Sequence, residues 1–204
     1  MRKEIKWTMI AVVFAAALLL NAVTFGAGSV TALGTSAQDA PADCKNHIPA
    51  IELPLPGSEA ERSYLGLSGT GNFRIGEVKS QVLLVEIFSF YCPHCQQSAS
   101  QVNDLYDEIQ KRGDLNGKIK MIGIGAKNSA FEVDSYRERY RVPFPLFPDK
   151  YLELTEKLCV RGTPTFIGFK VDGKGLQESF YYGEGGFQDI QKFLSEIVQS
   201  SGLK

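Results

Sequence analysis

The sequence predicts an α/β fold in which helices flank a mixed central β-sheet, preceded by an N-terminal extension. Short apolar runs rich in β-branched residues alternate with segments of helical periodicity. Near the C-terminus, two such runs are joined by the turn sequence DGKG, which is typical of a hairpin between antiparallel strands. Strands that alternate with helices and end in a hairpin indicate a sheet with both parallel and antiparallel neighbours.

Residues 1–32 are predicted to be a secretory signal peptide. Basic residues come first, the uncharged apolar run Met9–Val23 follows, and small residues come next, which is the usual order of such a leader. An uncleaved membrane anchor is the alternative, because the apolar segment can cross a bilayer when it is extended from Trp7 to Val30. In both cases we expect the rest of the chain to be periplasmic or otherwise extracytoplasmic.

The remaining composition suits one domain of ordinary size. Residues 33–60 are rich in Ala, Pro, Ser and Asp and predict a linker with an extended segment, whereas residues 61–204 are predicted to form the domain. The chain has 22 basic and 23 acidic side chains. Since there is no basic excess, nucleic acid is not expected as a partner.

Within the domain, the elements follow in order from their periodicity. The glycine-rich segment 64–78 predicts a short strand or hairpin before the core. The continuous apolar run at 82–88 predicts a strand that is buried on both faces of the sheet. Further strands are expected at 118–125, 165–171 and 176–182, an extended piece at 143–149, and helices at 93–112, 129–140, 151–160 and 187–200.

The residues that carry chemistry are concentrated in EIFSFYCPHCQQ, 86–97. Cys92 falls where the buried strand gives way to a helix, with Pro93 at the first helical position, which proline tolerates well. The free N–H groups and the dipole of a helix N-terminus favour a thiolate, so we expect the pKa of Cys92 to be lowered. Cys95 lies one turn further into the helix and is expected to resolve a mixed disulfide formed by Cys92.

Two neighbouring residues are predicted to influence the reduction potential and the proton transfer of this cysteine pair. His94 adds a hydrogen-bond donor and, when protonated, a positive charge that stabilises the thiolate and makes the disulfide more oxidising; an exposed helix residue is the alternative. Glu86 interrupts the apolar strand, and burial would raise the pKa of its carboxyl group. Its predicted role is to relay the proton of Cys95 through water, and a strand-end carboxylate that faces solvent or pairs with a lysine is the alternative.

A strand, a CxxC at a helix start, and RGTPTF (161–166) ahead of a strand and hairpin together resemble the thioredoxin superfamily. The resemblance implies a thioredoxin-like fold in which Pro164 is cis and faces the CxxC, and in which backbone groups of Thr163 bind an extended substrate segment. The stretch 86–97 is similar to the active site of the periplasmic oxidase DsbA, whereas the short connection from Cys95 to Pro164 is similar to the TlpA/ResA group, which includes many reductases. A thiol–disulfide oxidoreductase is therefore implied, with the direction of electron flow open.

Two further cysteines, Cys44 and Cys159, lie outside the CxxC. If Cys92 pairs with Cys95, the other two can form a structural disulfide that ties the N-terminal extension to the domain. A free Cys44, a lipid-bearing Cys44 and a regulatory thiol at Cys159 are the alternatives.

The expected partners are protein thiols and disulfides, together with a membrane or periplasmic protein that resets the CxxC. We expect no cofactor and no bound metal, because the Cys92–Cys95 disulfide is itself the redox group. A protein that delivers copper or zinc is one alternative, since a CxxC supplies two soft ligands and His47 or His94 could add to them. A peroxiredoxin-type peroxidase is another, with Ser89 in place of the threonine of that class and Val85 where that class has proline.

Overall fold

The computed structural model describes residues 50–172 and 175–203 of the chain. Seven strands and five α-helices lie within this described part. In chain order they are β1 (Glu52–Pro54), α1 (Glu59–Leu65), β2 (Asn72–Arg74), β3 (Val82–Phe88), α2 (Pro93–Lys111), β4 (Ile119–Ala126), α3 (Ala130–Tyr140), β5 (Leu146–Asp149), α4 (Glu153–Lys157), β6 (Thr165–Val171), β7 (Leu176–Glu184) and α5 (Ile190–Ser201).

The central sheet has five strands in the order β5-β4-β3-β6-β7. Strands β3, β4 and β5 are parallel neighbours, whereas β6 is antiparallel to both β3 and β7. Strands β1 and β2 form a separate antiparallel pair. The predicted mixed sheet is therefore confirmed, and β3 occupies its middle position.

Both faces of β3 are covered, which explains why every residue of this strand except Glu86 is apolar. Leu84 and Phe88 pack into a cluster with apolar residues of α2, α3 and α5. Leu83, Val85 and Ile87 point to the other face and pack into a second cluster. Because β3 is central and rigidly packed, whatever follows Phe88 is held at a defined place above the sheet.

The N-terminal part of the domain differs from the prediction. The short strand expected in 64–78 is present as β2, but it pairs with β1 and not with another strand of the same segment, and helix α1 before it was not predicted. Ser58 caps α1 by accepting a hydrogen bond from the backbone N–H of Glu61, a capping pattern that the sequence already contains. Strand β1 and the start of α1 also lie in the predicted linker, 33–60, so the folded part begins before residue 61.

The predicted helix at 151–160 is also shorter, since α4 covers only Glu153–Lys157. The buried carboxylate of Asp149 accepts hydrogen bonds from the backbone N–H groups of Leu154 and Thr155, which fixes where this helix begins. Cys159 has a φ of 54°, so the chain has left the helical path there.

Within residues 50–172 and 175–203, no helix combines the length and the apolar character needed to cross a membrane. The predicted leader, 1–32, lies outside the described residues. Its assignment as a signal peptide or as an anchor therefore stays a prediction.

Candidate active site

The CxxC begins α2 directly above the end of the central strand. Cys92 is the N-cap residue, and its Sγ accepts a hydrogen bond from the backbone N–H of Cys95 at 3.4 Å. Pro93 occupies the first turn, where the missing N–H costs no helical hydrogen bond. The backbone N–H of Cys92 donates to the carbonyl of Ser89 at 3.0 Å, which closes a tight turn after β3.

Several hydrogen bonds stabilise the thiolate of Cys92, which is half-buried. Partial burial opposes ionisation, but hydrogen bonds from the Thr163 side chain, the Cys95 thiol and the backbone N–H groups of Cys95 and His94 outweigh it. The pKa of Cys92 is therefore below its ordinary value. A thiolate that is accessible and stabilised in this way is a reactive nucleophile.

Cys95 has the opposite environment. Its side chain is fully buried, and this burial raises its pKa, with further contributions from its hydrogen bond to Cys92 and from the charge of Glu86. Cys92 and Cys95 are free cysteines in the described part of the chain, so the site is in its dithiol state. The two thiols thus differ in both access and acidity.

Glu86 is a buried acid on the same face of β3 as Leu84 and Phe88, the face that packs against α2. Only 3% of the residue is exposed, which excludes the solvent-facing alternative. Its Oε1 has no hydrogen-bond partner among the described residues. Burial raises the pKa of the carboxyl group to about 8, so protonated and ionised forms are both accessible near neutral pH.

The loop before β6 faces the CxxC. The Thr163–Pro164 peptide bond is cis, and the thiol of Cys92 donates to the carbonyl oxygen of Thr163 at 3.2 Å. The carbonyl of Pro164 accepts a hydrogen bond from the N–H of Gly185 at 2.8 Å, so the end of β7 holds this loop. The structure thus brings Thr163 and Pro164 to Cys92, as the resemblance implied.

An open groove of about 420 Å³ runs beside the CxxC. Both residues between the cysteines, Pro93 and His94, are exposed. The groove is lined by residues of α2, of the loop before β6 and of the segment before α5, among them His94, Gln101, Thr163, Pro164, Gly186 and Phe187.

Three residues beside the site were not predicted. The buried hydroxyl of Tyr136 donates to the carbonyl of Cys95 at 3.0 Å, and the side chains of Gln96 and Asn128 bind the backbone of Phe90. The sequence carries a signal for Tyr136 alone, which lies on the apolar face of a predicted helix. The other two contacts depend on how the loops meet in three dimensions.

Cys159 is disulfide-bonded. Its carbonyl accepts a hydrogen bond from the Tyr182 hydroxyl at 3.2 Å, which links the connection between α4 and β6 to β7. Cys44 lies outside the described residues, so the Cys44–Cys159 pairing stays a prediction.

Some of the residues named for the two alternative functions lie in the described part of the chain. No group of three or more His, Cys, Asp or Glu side chains in residues 50–172 and 175–203 could hold a metal ion, and His47 lies outside these residues. The side chain of Val85 packs on the face of the sheet opposite to that of Glu86. The hydroxyl of Ser89 lies 3.5 Å from the amide nitrogen of Asn128, so a neighbouring side chain already binds it.

Comparison with known proteins finds a family model and curated relatives that this chain matches. The AhpC/TSA family model matches residues 45–180. The thiol-disulfide oxidoreductase ResA of Halalkalibacterium halodurans is 24% identical over 96 residues, which cover 47% of this chain and 52% of that protein. The ResA protein of Geobacillus thermodenitrificans is 21% identical over 124 residues, which cover 61% of this chain and 67% of that protein.

The chain thus spans about half the length of the first of these relatives. Among solved structures, DsbF of Mycobacterium tuberculosis (MTB), in mixed oxidized and reduced forms, has a TM-score of 0.51 at 12% identity. The likeness covers 79% of this chain and 98% of that one. At this identity the likeness shows a shared fold, and it confirms the predicted thioredoxin-like architecture.

Proposed function

The chain belongs to the AhpC/TSA family, and we propose that it is an extracytoplasmic thiol–disulfide oxidoreductase that exchanges disulfides with protein substrates through Cys92 and Cys95. The observation that carries this proposal is the contrast between the two thiols. Cys92 is accessible and has a lowered pKa, whereas Cys95 is fully buried and has a raised one. The names of the ResA relatives support the same activity.

In the reducing direction, the Cys92 thiolate attacks one sulfur of a substrate disulfide. A mixed disulfide forms between Cys92 and the substrate, and the other substrate sulfur leaves as a thiolate that takes up a proton. The backbone of Thr163 and the groove beside His94 hold the substrate segment next to Cys92. A peptide held in this way keeps the reacting sulfur atoms aligned.

Cys95 then resolves the mixed disulfide. Because burial keeps Cys95 protonated, its thiol must lose a proton before it can attack Cys92. The carboxylate form of Glu86 accepts this proton, directly or through water, and the carboxyl group returns it when exchange runs backwards. The products are the Cys92–Cys95 disulfide and the second substrate thiol, so two electrons have passed to the substrate. Oxidation of a substrate dithiol is the same sequence in reverse.

The redox group is the Cys92–Cys95 disulfide itself, and a membrane or periplasmic partner resets it after each turnover. Export by the predicted leader would place the protein where a structural disulfide at Cys159 persists. The reduction potential sets the physiological direction of exchange. A value of about −120 mV is typical of strong oxidants, and about −270 mV is typical of reductants.

The test is disulfide exchange by the purified protein. The dithiol form is mixed with insulin, the disulfide form is mixed with a dithiol peptide, and the potential is measured against glutathione buffers. We expect exchange in at least one direction and none with the Cys92→Ser variant. Equal rates for wild type and Cys92→Ser would refute the proposal.

A separate incubation with Cu(I) tests the metal-delivery alternative. We expect thiols that stay available for exchange after excess metal is removed by dialysis. A tight stoichiometric complex, together with no exchange in either assay, would replace the proposed enzyme by a metal carrier.

A further inference from the structure

Two amide side chains hold the backbone of Phe90, which lies between β3 and Cys92. The N–H of Phe90 donates to Oδ1 of Asn128 at 2.8 Å. The carbonyl of the same residue accepts a hydrogen bond from Nε2 of Gln96 at 2.7 Å. Both polar groups of one peptide position are thus bound from opposite sides, by α2 and by the segment between β4 and α3. We call Gln96 and Asn128 the amide clasp.

The residues on either side of Phe90 are bound by the same region of the chain. The Nδ2 atom of Asn128 lies 3.5 Å from the hydroxyl oxygen of Ser89. The phenol of Tyr91 donates to Oε1 of Glu132, whose other oxygen caps the start of α3. Three consecutive residues before Cys92 are therefore attached to the segment that precedes α3 and to its first turn.

The burial of Asn128 and the space around its side chain favour this contact. Its side chain is 0% exposed, and a buried amide is costly unless both of its ends are hydrogen-bonded. A Cβ atom at Gly125 would come within 3.2 Å of the Cβ and Oδ1 atoms of Asn128. The glycine therefore leaves the space that the amide occupies.

We propose that Gln96 and Asn128 are positioning residues that fix the turn 89–92 and thereby hold the sulfur of Cys92 at the start of α2. The turn itself is closed by the hydrogen bond from the Cys92 N–H to the Ser89 carbonyl. With Phe90 fixed, Sγ of Cys92 stays within reach of the Cys95 N–H and of Thr163. The role of the clasp rests on the proposed function, in which Cys92 is the attacking thiol.

The test measures the reactivity of Cys92 without any protein substrate. Dithiol protein is treated with iodoacetamide at about pH 6 and at about pH 10, and peptide mass analysis follows the label on Cys92. The variants are Gln96→Met and Asn128→Leu, which keep side-chain size but remove the hydrogen bonds. For both variants we expect a lower ratio of the Cys92 alkylation rate at pH 6 to that at pH 10. This ratio falls about tenfold for each unit by which the pKa of Cys92 rises.

A matched control is Asn103→Ala. Asn103 also donates from its amide to a backbone carbonyl, that of Tyr140 at 2.8 Å, but it lies away from Cys92. We expect the wild-type rate ratio for this control. Circular dichroism verifies folding. If Asn128→Leu does not fold, the test of the clasp depends on Gln96→Met, because Gln96 is half-exposed in the wild type. A folded Gln96→Met with the wild-type ratio would overturn the proposal.

This outcome is distinct from failure of the proposed function. If insulin and dithiol-peptide assays are negative but the clasp variants lower the alkylation ratio, the clasp is upheld and the exchange activity is not. If exchange is observed and the ratio is unchanged, the activity is upheld and the clasp is not.

Discussion

The thiol of Cys92 lies 3.2 Å from the carbonyl oxygen of Thr163, although 71 positions separate the two residues in the chain. The carbonyl accepts a hydrogen bond from the neutral thiol only, because a thiolate has no hydrogen to donate. The side chain of Thr163, in contrast, stabilises the thiolate and lowers the pKa of Cys92. One residue of the loop before β6 therefore interacts with both protonation states of the nucleophile.

Thr163→Val removes the hydroxyl but keeps the backbone carbonyl and a similar shape. We expect the pKa of Cys92 to rise, because a hydrogen bond to a charged group is lost at a partly solvated site. Thiolate absorbance at 240 nm, followed across pH, measures the change. Thr163→Ser retains the hydroxyl and should behave as wild type. A valine variant that titrates as wild type would show that the hydroxyl does not stabilise the thiolate.

His94→Pro removes both the imidazole and a backbone N–H that stabilises the Cys92 thiolate. We expect a more negative reduction potential, by tens of millivolts, since about 30 mV corresponds to 1.4 kcal/mol for this two-electron couple. Equilibration with glutathione gives the value. His94→Ala keeps the N–H and should shift the potential less. An unchanged or more positive potential in the proline variant would show that the residue at position 94 does not make the disulfide more oxidising.

Glu86→Gln keeps the size of the side chain but cannot accept a proton. Resolution of a mixed disulfide by Cys95 should slow by about tenfold or more. In wild type this step should accelerate as pH approaches 8, where the carboxyl group ionises, and the variant should lose that acceleration. Stopped-flow release of a thiol from a mixed disulfide at Cys92 measures the rate. The exposed Glu138→Gln is the control, and identical pH profiles for wild type and Glu86→Gln would exclude the proton relay.

The same substitution should change how stability depends on pH. Burial raises the pKa of Glu86 from 4.5 to about 8, so the folded protein keeps a proton that the unfolded chain releases. The stabilisation from this proton is complete below about pH 4.5 and is lost as pH rises towards 8.

Relative to wild type, Glu86→Gln should therefore become more stable from about pH 5 to 8, by at most about 1.4 kcal/mol for each pH unit. Urea unfolding of the dithiol forms at several pH values gives this difference. A difference that stays constant with pH would mean that the carboxyl group titrates as it does in the unfolded chain.

The central part of the fold follows directly from the sequence. Strands β3 and β6 have the predicted bounds, 82–88 and 165–171, because a continuous apolar run between turn residues is characteristic of a strand buried on both faces. The N-cap position of Cys92 was predicted on similar grounds, since the helical period begins immediately after it. In both cases the signal is local in the chain.

The remaining features could not be predicted in the same way. Helix α1 was not predicted, because its short capping signal, Ser58–Glu61, lies at the expected end of the linker, 33–60. The amide clasp was not predicted, because Asn128 meets Phe90 only when β4 pairs beside β3. Polar contacts between loops depend on tertiary structure, which the periodicity of apolar residues in the sequence does not predict.

Cys95→Ser leaves the nucleophile in place and removes the thiol that resolves the mixed disulfide. When this variant is mixed with a disulfide-bonded substrate, a stable adduct should accumulate, and peptide mass analysis of that adduct tests the proposed exchange most directly. We predict that the substrate is attached to the sulfur of Cys92. The absence of an adduct, or its attachment only to other cysteines, would contradict the assignment of Cys92 as the attacking thiol.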